Sequence, residues 1–350
     1  MDKIWWSQVT NAVKYISDIK ASILDEKSII IRHSKEIPWK ECFQETVQEA
    51  VKLQNSEKKF VQFTTTMNPG EYLLNEFCKK EKRAEYRPMK GYAKFLAGSD
   101  DIVLHDRYLW ISVPDEKCLV EWTNFVTEYI KERGKRDKAA VFILEWEGTG
   151  IGNTPKGIKT FSFDDYIGEY DRLVFAMLAS SNTKMPPFIQ DYTAELVASI
   201  AGNDIELCAT CLSGGKEFLE NPIDYVRGIE KNMWHSSGTP FVLGNNNQEL
   251  EHLIWRAQIK TVYPFLEEYR EEFVQKHEPE IAKQLPIQTS YGDIFNDPKD
   301  VELGTLLYMA GNGSIKLPTK EYSRLKRYRE ARNKLAHLSV LDFKDVEELL

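Results

Sequence analysis

Several features are scarce in this chain of 350 residues, and each scarcity removes a class of protein. No apolar run approaches the roughly eighteen residues of a membrane-spanning helix. The start, Met1-Asp2-Lys3-Ile4-Trp5-Trp6, lacks the basic region, apolar stretch and small-residue cleavage site of a secretory signal. Cysteine is sparse and odd in number: Cys42, Cys78, Cys118, Cys208 and Cys211 fit a reducing cytoplasm and no disulfide framework. Positive charge is in deficit, 46 Lys and Arg against 54 Asp and Glu, and the net charge of −8 argues against a general DNA-coating surface. There is no internal repeat and no low-complexity segment. No Ser-His-Asp set or paired carboxylates stand out, and His33, His105, His235, His252 and His277 are scattered.

What is present is a soluble composition, 42% hydrophobic and 29% charged, in a length that suits two or three domains with real cores. Twelve per cent aromatic residues, with eight tryptophans, imply large packing surfaces that serve cores and subunit interfaces alike. The first part alternates. Short β-branched or apolar runs at 28–32, 59–63, 107–113, 139–146 and 159–163 predict five strands. Helical patterns at about 4–23, 38–53, 70–81 and 115–133 lie between them. This alternation predicts an α/β layer with a mostly parallel sheet. After about Asp164 almost no strand signal remains. Helical patterning runs through 165–181, 187–200, 203–213, 221–231, 247–276, 299–310 and 320–337. Turn clusters interrupt it, of which Gly244-Asn245-Asn246-Asn247 is the clearest boundary.

An α/β layer raises the question of a phosphate loop, which needs glycines for backbone approach and a lysine for the outer phosphates, directly after the first strand. After Ile31 the chain reads Arg32-His33-Ser34-Lys35-Glu36-Ile37-Pro38, without glycine. The nearest imitation, Gly152-Asn153-Thr154-Pro155-Lys156-Gly157-Ile158-Lys159-Thr160, has one residue too many before its lysine. It also leads into a strand where a helix is required. Gly148-Thr149-Gly150-Ile151-Gly152 opens no helix either, so a dinucleotide site is not expected. The fourth strand ends Leu144-Glu145-Trp146-Glu147, acids that solvent-edge placement would explain. Together, five strands, an acid-tipped fourth strand and a missing phosphate loop resemble a degenerate AAA-like P-loop domain. That resemblance implies partner or nucleotide binding without turnover. Cys208-Ala209-Thr210-Cys211 is a lone C-x-x-C with no second ligand pair, and belongs on an apolar helix face.

The C-terminal stretch is the chemical anomaly. Between Lys320 and His337 lie seven Lys or Arg and only two Glu, a local +5 in an acidic chain, which points to a phosphate-bearing partner at that spot. Within it, Arg332-Asn333-Lys334-Leu335-Ala336-His337 resembles the R-x4-H motif of the HEPN superfamily, including the polar residue after the arginine. The resemblance covers roughly residues 246–350. It implies a helical bundle that dimerises. Many members are metal-independent ribonucleases of toxin, antiphage and CRISPR-linked systems; others are inactive binding modules.

Helical spacing adds its own reading. Lys326, Arg329, Asn333 and His337 fall on one face, and Leu325, Tyr328, Ala331, Leu335 and Leu338 form the apolar stripe. Arg332 lies at the edge, its stem free to rest on Tyr328 with the guanidinium outward. The expected roles are His337 as general base or acid, Arg332 on the charged phosphorane, and Asn333 orienting phosphate or imidazole. Lys326, Arg327, Arg329 and Lys334 would hold RNA. The expectation is therefore three parts: a degenerate AAA-like α/β domain (1–165), a helical middle (166–245) and a HEPN helical domain (246–350). The function would be a metal-independent RNA endonuclease working as a homodimer, with a regulatory partner protein and no membrane, metal or cofactor. A non-catalytic scaffold is the alternative.

Overall fold

The computed structural model describes residues 1–134, 138–149, 156–288, 292 and 294–350. They form two compact units, Met1–Asp171 and Arg172–Leu350. Residues 152–155 of the imitation phosphate loop and 150–152 of the Gly148–Gly152 run lie outside the described residues.

In the first unit, α1 (Asp2–Gln8) and α2 (Thr10–Leu24) replace the single helix expected at 4–23, because Val9 is extended. There follow β1 (Ile29–His33), α3 (Lys40–Lys52), β2 (Lys59–Thr64), α4 (Pro69–Phe77), α5 (Lys80–Ala84), α6 (Tyr92–Gly98), β3 (Arg107–Val113), α7 (Glu116–Arg133), β4 (Val141–Glu147), β5 (Lys159–Ser162) and α8 (Phe163–Tyr166). All five predicted strands are therefore present. They pair in parallel in the order β2-β3-β4-β1-β5. Helices cover both faces, which is why the strands read as continuous apolar runs.

One face, Ile30, Leu109, Ile111, Phe142 and Leu144, packs on Leu73, Leu96, Trp122, Val126 and Tyr129 from α4, α6 and α7. The other carries Trp110, whose ring meets Phe43 of α3 edge-on at 5.9 Å, while Trp6 and Tyr15 close over Phe43. This order sets a topological switch point. From β1 the chain goes on to β2 at one edge, and from β4 it goes on to β5 at the other, so at the neighbouring strands β1 and β4 the strand order reverses direction.

The second unit is helical. The helix α9 (Glu169–Ser180) crosses the division between the units. After it come α10 (Pro187–Ala201), α11 (Ile205–Ser213), α12 (Gly215–Glu220), α13 (Pro222–Asn232), α14 (Asn247–Lys276), α15 (Glu278–Ala282), the short hairpin β6 (Ile287–Gln288) and β7 (Ile294–Phe295), α16 (Leu303–Gly311), α17 (Thr319–Ala336) and α18 (Phe343–Glu347). The hairpin is strand structure that the sequence did not announce. A capping box starts α14: the Asn246 side chain accepts from Glu249 N at 3.0 Å, and Glu249 accepts from Asn246 N at 2.8 Å. Both α10 and α17 pack along α14, so helices from the expected middle and C-terminal parts share one core. Cys208 and Cys211 sit one turn apart on the buried side of α11. Burial raises both thiols, Cys211 to about 12, which suits packing rather than reactivity.

Candidate functional site

The basic stretch forms α17, and its inward residues follow the expected stripe: Leu325, Tyr328, Ala331 and Leu335 are buried. Each buried leucine contributes about 2 kcal/mol. The Tyr328 ring meets Tyr269 at a tilt of 34° with centroids 3.8 Å apart, and its hydroxyl donates to Leu349 O. The stripe stops there. The helix ends at Ala336, Leu338 has φ 60°, and its side chain is 69% exposed. Leu338 is thus not part of the apolar stripe. Its N–H reaches Leu335 O at 3.2 Å, and Ser339 N reaches Lys334 O at 3.0 Å. These two bonds are a Schellman turn with leucine in the left-handed position that glycine usually takes.

His337 is the C-cap residue, with its N–H still bonded to Asn333 O at 3.1 Å, so it follows the helical face of Asn333 and Arg329. Its side chain is exposed, and Asn333 is half-buried. Among the described residues no side-chain hydrogen bond engages either one. Imidazole and amide are therefore free to meet a ligand from solvent.

The cations divide. Arg332 is three-quarters buried and donates to Glu302 at 2.8 Å, at the N-cap of α16. The expected outward guanidinium is instead drawn to this carboxylate. The ring Tyr328 carries a cation from another residue: the Arg324 guanidinium lies 5.3 Å from it and 5.1 Å from Tyr269. Lys334 pairs with Asp345 of α18 at 2.7 Å, and Lys326 lies 3.9 Å from Glu330. Arg327 is exposed and Arg329 half-buried, and neither forms an ion pair among the described residues. The Arg332–Glu302 and Lys334–Asp345 pairs are partly exposed. Such pairs stabilise by about 0–1 kcal/mol, little enough for a phosphate to displace.

Two residues beside α17 escaped the sequence reading. Trp255 of α14 donates from Nε1 to Leu335 O at 2.8 Å. The exposed His252 stacks on the Trp255 ring at 5.3 Å and 23°. Their i, i+3 spacing on α14 was visible, but only the packing of α14 on α17 brings Trp255 to Leu335. Gln258, on the same helix, is fully buried and bonds both backbone groups of Leu341, each at 2.8 Å, fixing the chain that leaves the turn.

The first unit has a separate polar cluster at the β1/β4 switch point. Glu145 is 2% exposed, not at the solvent edge as an acidic strand tip would be. Its Oε2 accepts from Trp110 Nε1 and Gln44 Nε2, both at 2.6 Å, and Lys40 Nζ lies 2.6 Å from Oε1. His33 donates from Nδ1 to Lys35 O at 2.8 Å and sets Nε2 3.8 Å from Glu145 Oε1. Burial by itself would raise the carboxyl. The His33, Lys40 and Trp110 contacts outweigh burial and hold Glu145 at about 2. Lys40 opens α3, so the lysine at the helix after β1 is committed to an internal carboxylate.

No known protein family matches the chain, and no curated protein does. Among solved structures, one described as the structure of Rhizobiales Trip13 is 13% identical. The likeness covers 61% of this chain and 76% of that one, with a TM-score of 0.33. So faint a likeness assigns neither a fold nor an activity to this chain.

Proposed function

We propose that the end of α17 is the active site of a metal-independent RNA endonuclease, of the kind found in prokaryotic defence or toxin systems. The observation that carries this reading is the exposed, unengaged His337 beside Asn333 and Arg332, in the most basic stretch of an acidic chain. Imidazole is the side chain best suited to both accept and donate a proton in water. Arg332, released from Glu302, offers paired donors to a phosphorane. Arg327 and Arg329 hold the flanking phosphates. The 2′-oxygen attacks phosphorus, the bond to the 5′-oxygen breaks, and the products are a 2′,3′-cyclic phosphate and a 5′-hydroxyl. DNA is spared because it lacks the nucleophile.

In this proposal residues 246–350 act as a HEPN-like module. A two-fold dimer brings two copies of the α17 end into one cleft, the commonest closed assembly of identical chains. The first unit is a degenerate AAA-like domain that senses or restrains. The glycine-free β1–α3 connection and the Lys40–Glu145 pair support its lacking ATP turnover. The test is incubation of the pure protein with single-stranded and structured RNA in EDTA. Cleavage is expected, and it disappears in Arg332→Ala and His337→Ala.

One observation favours a second reading, a non-catalytic dimerising scaffold: Arg332 and Lys334 are both neutralised within the chain. A dimer that cleaves no RNA would establish it.

A further inference from the structure

Cleavage by the 2′-hydroxyl needs two proton transfers, one from the nucleophile and one to the leaving oxygen. His337 alone serves only one of them at a time. We propose that His252 is the second acid–base imidazole of this site, acting with His337 of the same protomer; the proposal rests on the ribonuclease reading above.

Three observations converge on His252. First, α14 and α17 run antiparallel. Tyr269 meets Tyr328, Trp255 meets Leu335, and Lys276 pairs with Glu321. Moving from Trp255 toward the start of α14 therefore passes the end of α17 and reaches the level of the turn that begins at His337. Second, Trp255 is anchored. Its Nε1 bond to Leu335 O, two residues before His337, holds the indole in one orientation, and His252 lies stacked on that ring. The stack holds the second imidazole on a ring that is itself bonded to the motif, without using either of the imidazole nitrogens. Third, His252 is exposed, and no hydrogen bond engages its ring among the described residues. Both imidazoles thus face solvent at the same end of one helix pair.

The steps balance without a further reactant. One imidazole accepts the 2′-hydroxyl proton as the oxygen bonds to phosphorus. The other donates its proton to the departing 5′-oxygen. The two rings then exchange protons with water and return to their starting states. The dimer, on this view, closes the cleft and does not have to supply the second imidazole.

The test compares wild type, His252→Phe and His252→Ala in the full-length protein, cutting a defined RNA in EDTA across pH 5–9. Phenylalanine retains the stack on Trp255 but transfers no proton. The proposal predicts a kcat lower by about 100-fold or more in both variants. KM stays near wild type in His252→Phe, and the bell-shaped pH profile loses one limb. A wild-type kcat and an intact bell in His252→Phe would overturn the proposal while leaving the ribonuclease reading standing, provided His337→Ala is inactive. A rise in KM for His252→Ala alone, with kcat unchanged, would make His252 a base-stacking platform and overturn it too. If wild type cuts no RNA, both readings fall together.

Discussion

Replacing Glu145 by glutamine removes the charge at the centre of the first unit's polar cluster and little of its shape. Glutamine can still accept from Trp110 or Gln44, but its amide also faces Lys40, which needs an acceptor. Removing one member of a buried ion pair costs about 3–5 kcal/mol when the other charge stays trapped. The Lys40 side chain is 34% exposed and can turn to water, which places the loss near the lower end, about 3 kcal/mol. Linkage gives the same size. A carboxyl held at about 2 against an ordinary 4.5 contributes on the order of 3 kcal/mol at neutral pH. Because its folded value is depressed, that contribution is complete above about pH 4.5 and is lost as pH falls through about 2.

For a unit of this size, about 3 kcal/mol lowers Tm by about 6–12 °C. Thermal unfolding of the whole chain at pH 7, followed by near-ultraviolet circular dichroism, reports it well, since six of the eight tryptophans lie in the first unit. Glu145→Gln should also flatten the acid limb of the stability curve. The double variant with Lys40→Met should lose less than the sum of the single losses, because the charge left behind is gone. A Tm within about 2 °C of wild type would refute this account of the cluster.

Other outcomes are expected in the second unit. Leu338→Gly should stabilise by about 0.5 kcal/mol, seen as a small rise in urea midpoint. It relieves a left-handed leucine that costs about 1–2 kcal/mol and gives up no packing, against about 0.5–1 kcal/mol of added chain entropy. Gln258→Leu should cost about 2–4 kcal/mol in the same assay, because it strands both backbone groups of Leu341 in the interior. His235 is raised: burial opposes its charge, but the Asp204 carboxylate at 2.7 Å and the Thr239 carbonyl overcome that. Its contribution should be complete below about pH 6.5 and fade as pH rises through the raised value. Urea unfolding at pH 5.5 and 8.5 should show that loss in wild type and a smaller one in His235→Gln.

The sheet was legible because a parallel sheet covered on both faces is written in near-continuous apolar runs, as Val141–Leu144 shows. The long helices were legible from their 3.6-residue spacing, even α14 with Pro264 inside it. Short elements were not: α6, α12 and α18 have too few turns for a periodic signal and are held by packing. At α17 the spacing gave the buried stripe through Leu335 but could not show that the helix ends before Leu338. Nor could it pair Arg332 with Glu302, thirty residues upstream, or bring Trp255 to Leu335. Those contacts belong to helix packing, which leaves no mark in local sequence. Glu145 misled for a related reason: a carboxylate at a strand tip reads as exposed until the residues that enclose it are known.

The central claim is cleavage by a 2′-hydroxyl at the end of α17. The direct measurement is cutting, in EDTA, of a DNA strand that carries a single ribonucleotide within a sequence shown to be cut as RNA. The account predicts one cut, immediately 3′ to the ribonucleotide, leaving a 2′,3′-cyclic phosphate on one fragment and a 5′-hydroxyl on the other, and no cut with His337→Ala. Cutting at the deoxynucleotides, or cutting that survives the loss of His337, would contradict it.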